Sequence, residues 1–304
     1  MNRLLTIVGD AWRQFERLWL GPVDARVYAI IRIAFAVVAL INVIDLWPHR
    51  LAFFSGEGMT GHPAEQSGLS VFRQVESPAG VTVIFLVAAA SAVWLGIGVM
   101  ARPAAVLLWL WQMSYTSQGY PLVHGWDILL RIEALILLIS PLGPSIPQWL
   151  AQVNGKPGAI RRSDGMASRH GLVLLQIQLA VVYWQTVWLK VPDAYWRNGE
   201  VISYFMMSTY ARFPSAQWAH WDLASALLSH FTLLVEVAIP LLLWNRRTRM
   251  LGFFLGIGLH GSIVLVSHIL LFSLTVLVPY FAFLDGRDLE RWSGRLRRRR
   301  ILEG

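Results

Sequence analysis

Apolar residues run in long blocks along this chain, and the polar ones gather between them. The blocks are Val27 to Trp47, Ala79 to Met100, Pro103 to Ser117, Ile128 to Ser140, Gly171 to Leu189, Leu223 to Trp244, and a longer one from Met250 to Leu284. A membrane-crossing helix needs roughly 20 apolar residues, fewer where neighbours shield it. The pattern therefore predicts an all-α, polytopic transmembrane bundle. Ahead of it, Leu4, Leu5, Val8, Ala11, Trp12, Phe15, Leu18 and Trp19 recur at helical spacing, with Arg3, Arg13 and Arg17 among the polar positions. This predicts an amphipathic helix that either lies at the inner membrane surface or caps the bundle, stopped by Gly21-Pro22. It is no secretory signal, because it lacks a continuous apolar core and a small-residue cleavage site.

Charge settles how many times the last block crosses. Arg3, Arg13, Arg17 and Arg26 precede the first span. Arg102 lies between the second and third, and Lys156, Arg161, Arg162 and Arg169 between the fourth and fifth. Arg246, Arg247 and Arg249 separate the sixth from the seventh, and Arg287, Arg291, Arg295 and Arg297 to Arg300 end the chain. Basic connections stay cytoplasmic. All of these fall on one side only if both termini are cytoplasmic and the block from Met250 to Leu284 crosses twice, turning near Ser267-His268. About eight spans follow. The expected organisation is an interfacial helix over 1–22, a bundle over 23–286 and a basic cytoplasmic tail over 287–304, in the inner (cytoplasmic) membrane. The segment Val191 to Asp222 would then be external, and its Tyr195, Trp196, Tyr204, Phe205, Tyr210, Phe213, Trp218 and Trp221 suit a half-buried lid at the interface.

Composition agrees with the blocks and narrows the chemistry. Of 304 residues, 56% are hydrophobic and 14% charged, with a mean hydropathy of +0.51, too apolar for a soluble domain of this length. The net charge of +8 lies between apolar runs, so it reads as topology signal and anionic-lipid contact, not as a nucleic-acid surface. The absence of cysteine removes thiolate catalysis and thiolate metal sites. No HExxH and no i, i+4 histidine pair occurs, so no metal is expected. Gly256 to Gly261 (GIGLHG) follows no strand and reads as helix packing.

Ionisable residues inside the spans carry the candidate chemistry, since each costs about 2.5 to 3.5 kcal/mol at mid-membrane and must face the bundle interior with a partner. They are Arg32, Arg131, Glu133, Glu236 and His260, with Lys190, His124, Asp127, His230 and His268 near span ends. Arg32 is expected to meet a carboxylate or a backbone carbonyl. Arg131 and Glu133, two residues apart, point to different helix faces, so one of them must find another helix. Glu236 is expected to be buried against a basic or histidine partner, with His260 and Arg32 the nearest candidates. Most of the others fall in the outer half, which predicts an outward-opening polar cavity. Lys190 ends the stretch QIQLAVVYWQTVWLK and has two open fates: a snorkelling anchor, or a desolvated amine able to act as a base.

At these residues the chain resembles the HTTM family, the membrane domain shared by vitamin K-dependent gamma-glutamyl carboxylase and bacterial homologues. Four places between Val27 and Leu284 carry the resemblance. They are Ile31-Arg32-Ile33-Ala34-Phe35-Ala36 followed by Phe53-Phe54-Ser55-Gly56-Glu57-Gly58; Tyr120-Pro121-Leu122-Val123-His124-Gly125-Trp126-Asp127 through Arg131; the block Tyr183 to Gly199 with Lys190 and Trp196; and Glu236 with Pro240, Arg249 and Gly258-Leu259-His260-Gly261. The resemblance implies a quinol-dependent oxygenase or carboxylase-like lyase, using a reduced quinone such as menaquinol or vitamin K hydroquinone. Lys190 would be the base that takes a phenolic proton, desolvated by Val187, Trp188 and Val191. His124 would hold the neutral amine or orient the quinol, and Asp127, Arg131, Trp196, Glu236 and His260 would line the pocket. Lys190 and Trp196 stand one residue further apart than the carboxylase motif, with Pro192 between them. Two other readings stay open: a non-enzymatic membrane factor for maturation or export of a secreted peptide or periplasmic protein, and a lipid or small-molecule transporter, for which only Pro240 and Pro279 offer helix breaks.

Overall fold

The computed structural model describes residues 2–59, 70–75, 77–117, 122–153 and 165–290. Lys156, Arg161 and Arg162, the Tyr120-Pro121 start of the family-like loop, and the basic tail from Arg291 onward lie outside the described residues. The protein is all-α. Its helices are α1 (Asn2–Leu20), α2 (Ala25–Leu46), α3 (Arg50–Phe54), α4 (Pro78–Ile97), α5 (Ala101–Thr116), α6 (Gly125–Ile139), α7 (Ile146–Val153), α8 (His170–Lys190), α9 (Ala194–Asn198), α10 (Val201–Met207), α11 (Asp222–Trp244), α12 (Arg249–Val266) and α13 (Leu270–Leu277). The sequence pattern missed one element: β1 (Pro22–Asp24) pairs antiparallel with β2 (Met166–Ser168), Val23 opposite Ala167.

Five helical stretches are long and apolar enough to cross a membrane: Ala25–Phe54, Pro78–Ile97, His170–Lys190, Asp222–Trp244 and Arg249–Val266. The chain is a membrane protein by that criterion. α5 and α6, at 16 and 15 residues, are shorter, as is the apolar helical stretch Leu270–Phe283. The long terminal block divides where the charge count places the turn. α12 ends at Val266, Ser267 is extended, and α13 begins at Leu270.

Local signals fix the helix ends. Asp24 caps α2 by accepting from the Arg26 amide, and Ser77 caps α4 through the Gly80 amide with Pro78 in the first helical position. α4 stops at Gly98, whose φ of 86° is left-handed. A side chain there would run into the Arg32 guanidinium. Glycine thus both ends the helix and makes room for a buried cation.

The chain divides into two compact units, one running to Leu175 and resuming at Leu284, the other Gln176–Phe283. In the first, α2 packs on α4, α4 on α5 and α5 on α6. An aromatic cluster of Phe54, Phe72, Phe85, Trp111 and Tyr115, all buried, forms much of its core. The Phe85 and Trp111 rings meet edge-on at 4.8 Å. On α1, Trp12, Phe15 and Leu18 stay exposed among the described residues.

In the second unit α11 packs on α12 and α10 on α11. The segment after α8 folds as α9, α10 and a 3-10 turn at Ala216–His220. It is pinned to the turn between α12 and α13. Ala211 and Ser267 form an antiparallel bridge, the Arg212 amide donates to Val266 O and the His268 amide to Tyr210 O, and the Arg212 guanidinium donates to Ser267 O and Val264 O. Tyr204, Tyr210, Phe213 and Trp221 on this segment are exposed.

Candidate functional site

Lys190 and Glu236, 46 residues apart in sequence, meet in the second unit. The Lys190 Nζ donates to both carboxylate oxygens of Glu236, at 2.5 and 2.7 Å. It also lies 4.6 Å from the centroid of the Trp196 ring. A carboxylate acceptor and a π face both suit a cationic nitrogen. The lysine side chain is 23% exposed and the carboxylate 10%, so the pair is largely out of contact with solvent.

Three local features build this arrangement. α8 ends at Lys190, so the last side chain of the helix swings beyond the apolar run. The Asp193 carboxylate then caps α9 by accepting from the Trp196 amide, which fixes the indole. Gly199 ends α9 with a left-handed φ of 77° and lies so close to α11 that an added Cβ would stand 2.5 Å from the Ala226 Cα. Its carbonyl accepts from the Ser225 and Ser229 hydroxyls. His230 adds contacts to Arg197 O and Ala226 O, so α9 and its tryptophan are fastened along the helix that carries Glu236.

Below the pair lies a second polar group. The Tyr183 hydroxyl is 2.7 Å from His260 Nε2 and 2.6 Å from the Tyr280 hydroxyl. All three residues are buried, and among the described residues the other imidazole nitrogen, Nδ1, has no hydrogen-bond partner. Gln176 donates to Ala282 O at 2.7 Å. Gln176, Tyr183 and Lys190 recur at intervals of seven, so they share one face of α8. Tyr183 opens the family-like block but carries no site role in the sequence pattern, and Tyr280 does not stand out there at all. The heptad spacing of polar residues inside an apolar helix was the signal that could have found the first.

Several expectations need correction. Glu236 is partnered by Lys190, not by His260 or Arg32. Glu236, near the middle of α11, lies level with the end of α8, whereas His260 is level with Tyr183. Arg32, wholly buried in the first unit, donates to Pro144 O at 3.0 Å. Trp188 and Val191, expected to desolvate the lysine, are 79% and 53% exposed. They lie on other faces of the helix end, and the pairing with Glu236 and Trp196 takes their place. The lysine is therefore not a simple snorkelling anchor.

The remaining candidates belong to the first unit. Asp127 is buried and closes the start of α6. Its Oδ2 accepts from the His124 amide at 2.8 Å, and its Oδ1 from the Tyr115 hydroxyl at 2.8 Å and Asn42 Nδ2 at 3.4 Å. The His124 ring stacks on Trp126 at 4.2 Å. Arg131 reaches α5, donating to the Thr116 hydroxyl at 3.2 Å. Glu133 is wholly buried, and among the described residues neither of its oxygens has a hydrogen-bond partner. These contacts explain Asp127 as a capping and core residue, and they hold Arg131 by a hydroxyl instead of a carboxylate.

The described residues also contain a cleft of about 510 Å³ in the second unit, lined by Asn198, Glu200, Ser203, Tyr204, Asp222 and Ser225 among others. Lys190 is not in its lining. Among the described residues no three His, Asp or Glu side chains come together as metal ligands. Comparison with protein-family models, curated proteins and solved structures finds no match to the chain.

Proposed function

We propose that this protein belongs to the HTTM family and is a quinol-dependent oxygenase or carboxylase-like enzyme of the inner (cytoplasmic) membrane, with eight spans and both termini cytoplasmic. The observation that carries the reading is Lys190, held on Glu236 beneath Trp196 at the outer end of an apolar helix. A quinol needs an aromatic or apolar wall for its ring and an acceptor for its phenolic proton. Trp196 offers the first, and the Lys190–Glu236 pair the second.

The proton inventory favours the pair over a lone lysine. As an ammonium beside a carboxylate, Lys190 has no lone pair to offer. Passing one proton across the 2.5 Å hydrogen bond gives a neutral amine and a neutral carboxyl. The amine then accepts the phenolic proton and ends as an ammonium beside a carboxylic acid, so the pair has gained one proton. Glu236 is thus as necessary as Lys190. Tyr183 lies on the same face of α8 as Lys190, and its hydroxyl continues the polar chain to His260 on α12 and to Tyr280. His124, Asp127 and Arg131 enter the proposal through the family resemblance alone.

The test is oxygen consumption by the purified protein with menaquinol as donor. General-base catalysis is worth about 10²- to 10⁴-fold, so Lys190→Arg and Glu236→Gln should each lose at least about 10² of the rate. Arginine does not surrender its proton, and glutamine cannot take one. Full activity in Lys190→Arg ends the proposal. The alternative of a non-enzymatic factor for a secreted peptide or periplasmic protein is favoured by the exposed rings of Tyr204, Tyr210, Phe213 and Trp221. It predicts no quinol-dependent oxygen uptake at all. The transporter alternative is less favoured, since α11 runs through Pro240 as one helix.

A further inference from the structure

The cleft beside α10 offers a second site, independent of any reaction at Lys190. Glu200 immediately precedes α10, Tyr204 lies one turn along it, and Asp222 opens α11. The floor is made by Ser203 and Ser225, 6% and 4% exposed. Their hydroxyls are already committed: Ser203 Oγ donates to Trp218 O, and Ser225 Oγ donates to Gly199 O while accepting from the Ser203 amide. The floor is therefore rigid and its hydroxyl hydrogens are spent.

What remains open to a guest is mostly acceptor. The Glu200 and Asp222 carboxylates are both exposed, and among the described residues neither forms an ion pair or a side-chain hydrogen bond. Lining the same space, the Tyr204 ring is braced edge-on by Tyr195 at 4.5 Å. No lysine, arginine or histidine is in the lining. An anionic guest would meet two uncompensated like charges, and a neutral apolar guest would strip water from them. A guest with a positively charged nitrogen answers both: its N–H groups supply the donors that the carboxylates lack, and its charge can rest against the phenol ring. The volume of about 510 Å³ lies within the range of small-molecule sites.

We infer that this cleft binds an organic ammonium group, with Glu200 and Asp222 as its counter-charges and Tyr204 as its aromatic wall. The ammonium comes either from a free amine or from the headgroup of phosphatidylethanolamine. Two measurements on the full chain separate these sources. The first is isothermal titration in detergent with benzylammonium chloride, using benzyl alcohol as the neutral counterpart. The second is mass spectrometry of phospholipid retained through purification, comparing phosphatidylethanolamine with phosphatidylglycerol.

Saturable binding of benzylammonium but not of benzyl alcohol, weakened at least about tenfold in Glu200→Gln/Asp222→Asn and weakened by added salt, establishes a free-amine site. Preferential retention of phosphatidylethanolamine that is lost in the same variant establishes the lipid source. Circular dichroism and thermal midpoint should be unchanged in the variant, since both substitutions are isosteric and exposed. A Tyr204→Leu variant gives a second reading, because it removes the π face and leaves both charges. Equal binding of the alcohol, an unaffected double variant, or neither saturable binding nor selective retention overturns the inference.

Discussion

Replacing Lys190 with alanine should destabilise the protein, because it strands a carboxylate that is only 10% exposed. Breaking a fully buried ion pair from one side costs about 3–5 kcal/mol, whereas a surface pair is worth about 0–1 kcal/mol. With the lysine side chain 23% exposed, the expected loss is intermediate, about 2 kcal/mol, and the contact with Trp196 adds up to about 1 kcal/mol. Glu236→Leu should cost a similar amount by leaving an ammonium over the indole without its counter-charge. The double replacement Lys190→Met/Glu236→Leu removes both charges and fills the space with apolar atoms, so it should lie within about 1 kcal/mol of the parent. The two single effects would then fail to add by about 2 kcal/mol or more. Reversible unfolding in mixed micelles, followed by far-UV circular dichroism, reads all four corners of the cycle. Single variants as stable as the parent, or effects additive within about 0.5 kcal/mol, would refute the pairing and with it the proton-sharing mechanism.

Gly256→Ala should lower stability by about 1–3 kcal/mol, since the new methyl would run into the Tyr280 ring; a thermal midpoint equal to the parent's would show that α12 does not approach Tyr280 so closely. Tyr183→Phe should break both bonds of the buried hydroxyl, and infrared bands of the His260 imidazole should shift while Lys190 and Glu236 stay paired. A reporter fused after Gly304 and another inserted between Lys156 and Arg169 should both report cytoplasm, with one in Gly199 to Asp222 reporting the exterior; an external C-terminus would remove the eight-span proposal. The Tyr204 phenol is pushed above its ordinary value by its hydrogen bond with Tyr195, by the electrostatic influence of Tyr195, by partial desolvation and by Glu200. Its folded value exceeds its unfolded one, so the stabilisation is complete below about pH 10 and is lost as pH rises through the folded value. A Tyr195→Phe variant should show the Tyr204 ultraviolet transition at lower pH, by difference against Tyr204→Phe.

The bundle was legible because its governing force is written locally. Seven apolar blocks and the basic connections between them give the helices, and the unequal distribution of arginine locates the break at Ser267-His268 within the last, otherwise featureless run. The site was legible only in part. Lys190 stands out by position, being a charge at the end of an apolar helix. Its partner does not, because nothing in the 45 intervening residues records which α11 residue lies level with the end of α8. That register depends on Gly199 lying against Ala226 and on the α9 turn, both set by tertiary packing. The two-residue offset of Arg131 and Glu133 correctly implied different faces. It could not reveal that the arginine would take a threonine hydroxyl, or that the carboxyl would be left without a partner among the described residues.

The last turn of α12 leaves backbone carbonyls without helical donors, as every helix end does. Here the missing donors come from Arg212, more than fifty residues earlier, whose amide serves Val266 and whose guanidinium serves Val264 and Ser267. A cation at a helix C-terminus also meets the negative end of the helix dipole. The consequence is an order of assembly. Residues 191–222 leave the ribosome before α12 is made, so the strand-like edge at Tyr210–Arg212 can be waiting when the final hairpin arrives. The hairpin closes on a template that finishes its first helix, and shortening that loop would fray α12 at a distance, with the bonds within the hairpin itself left as they are.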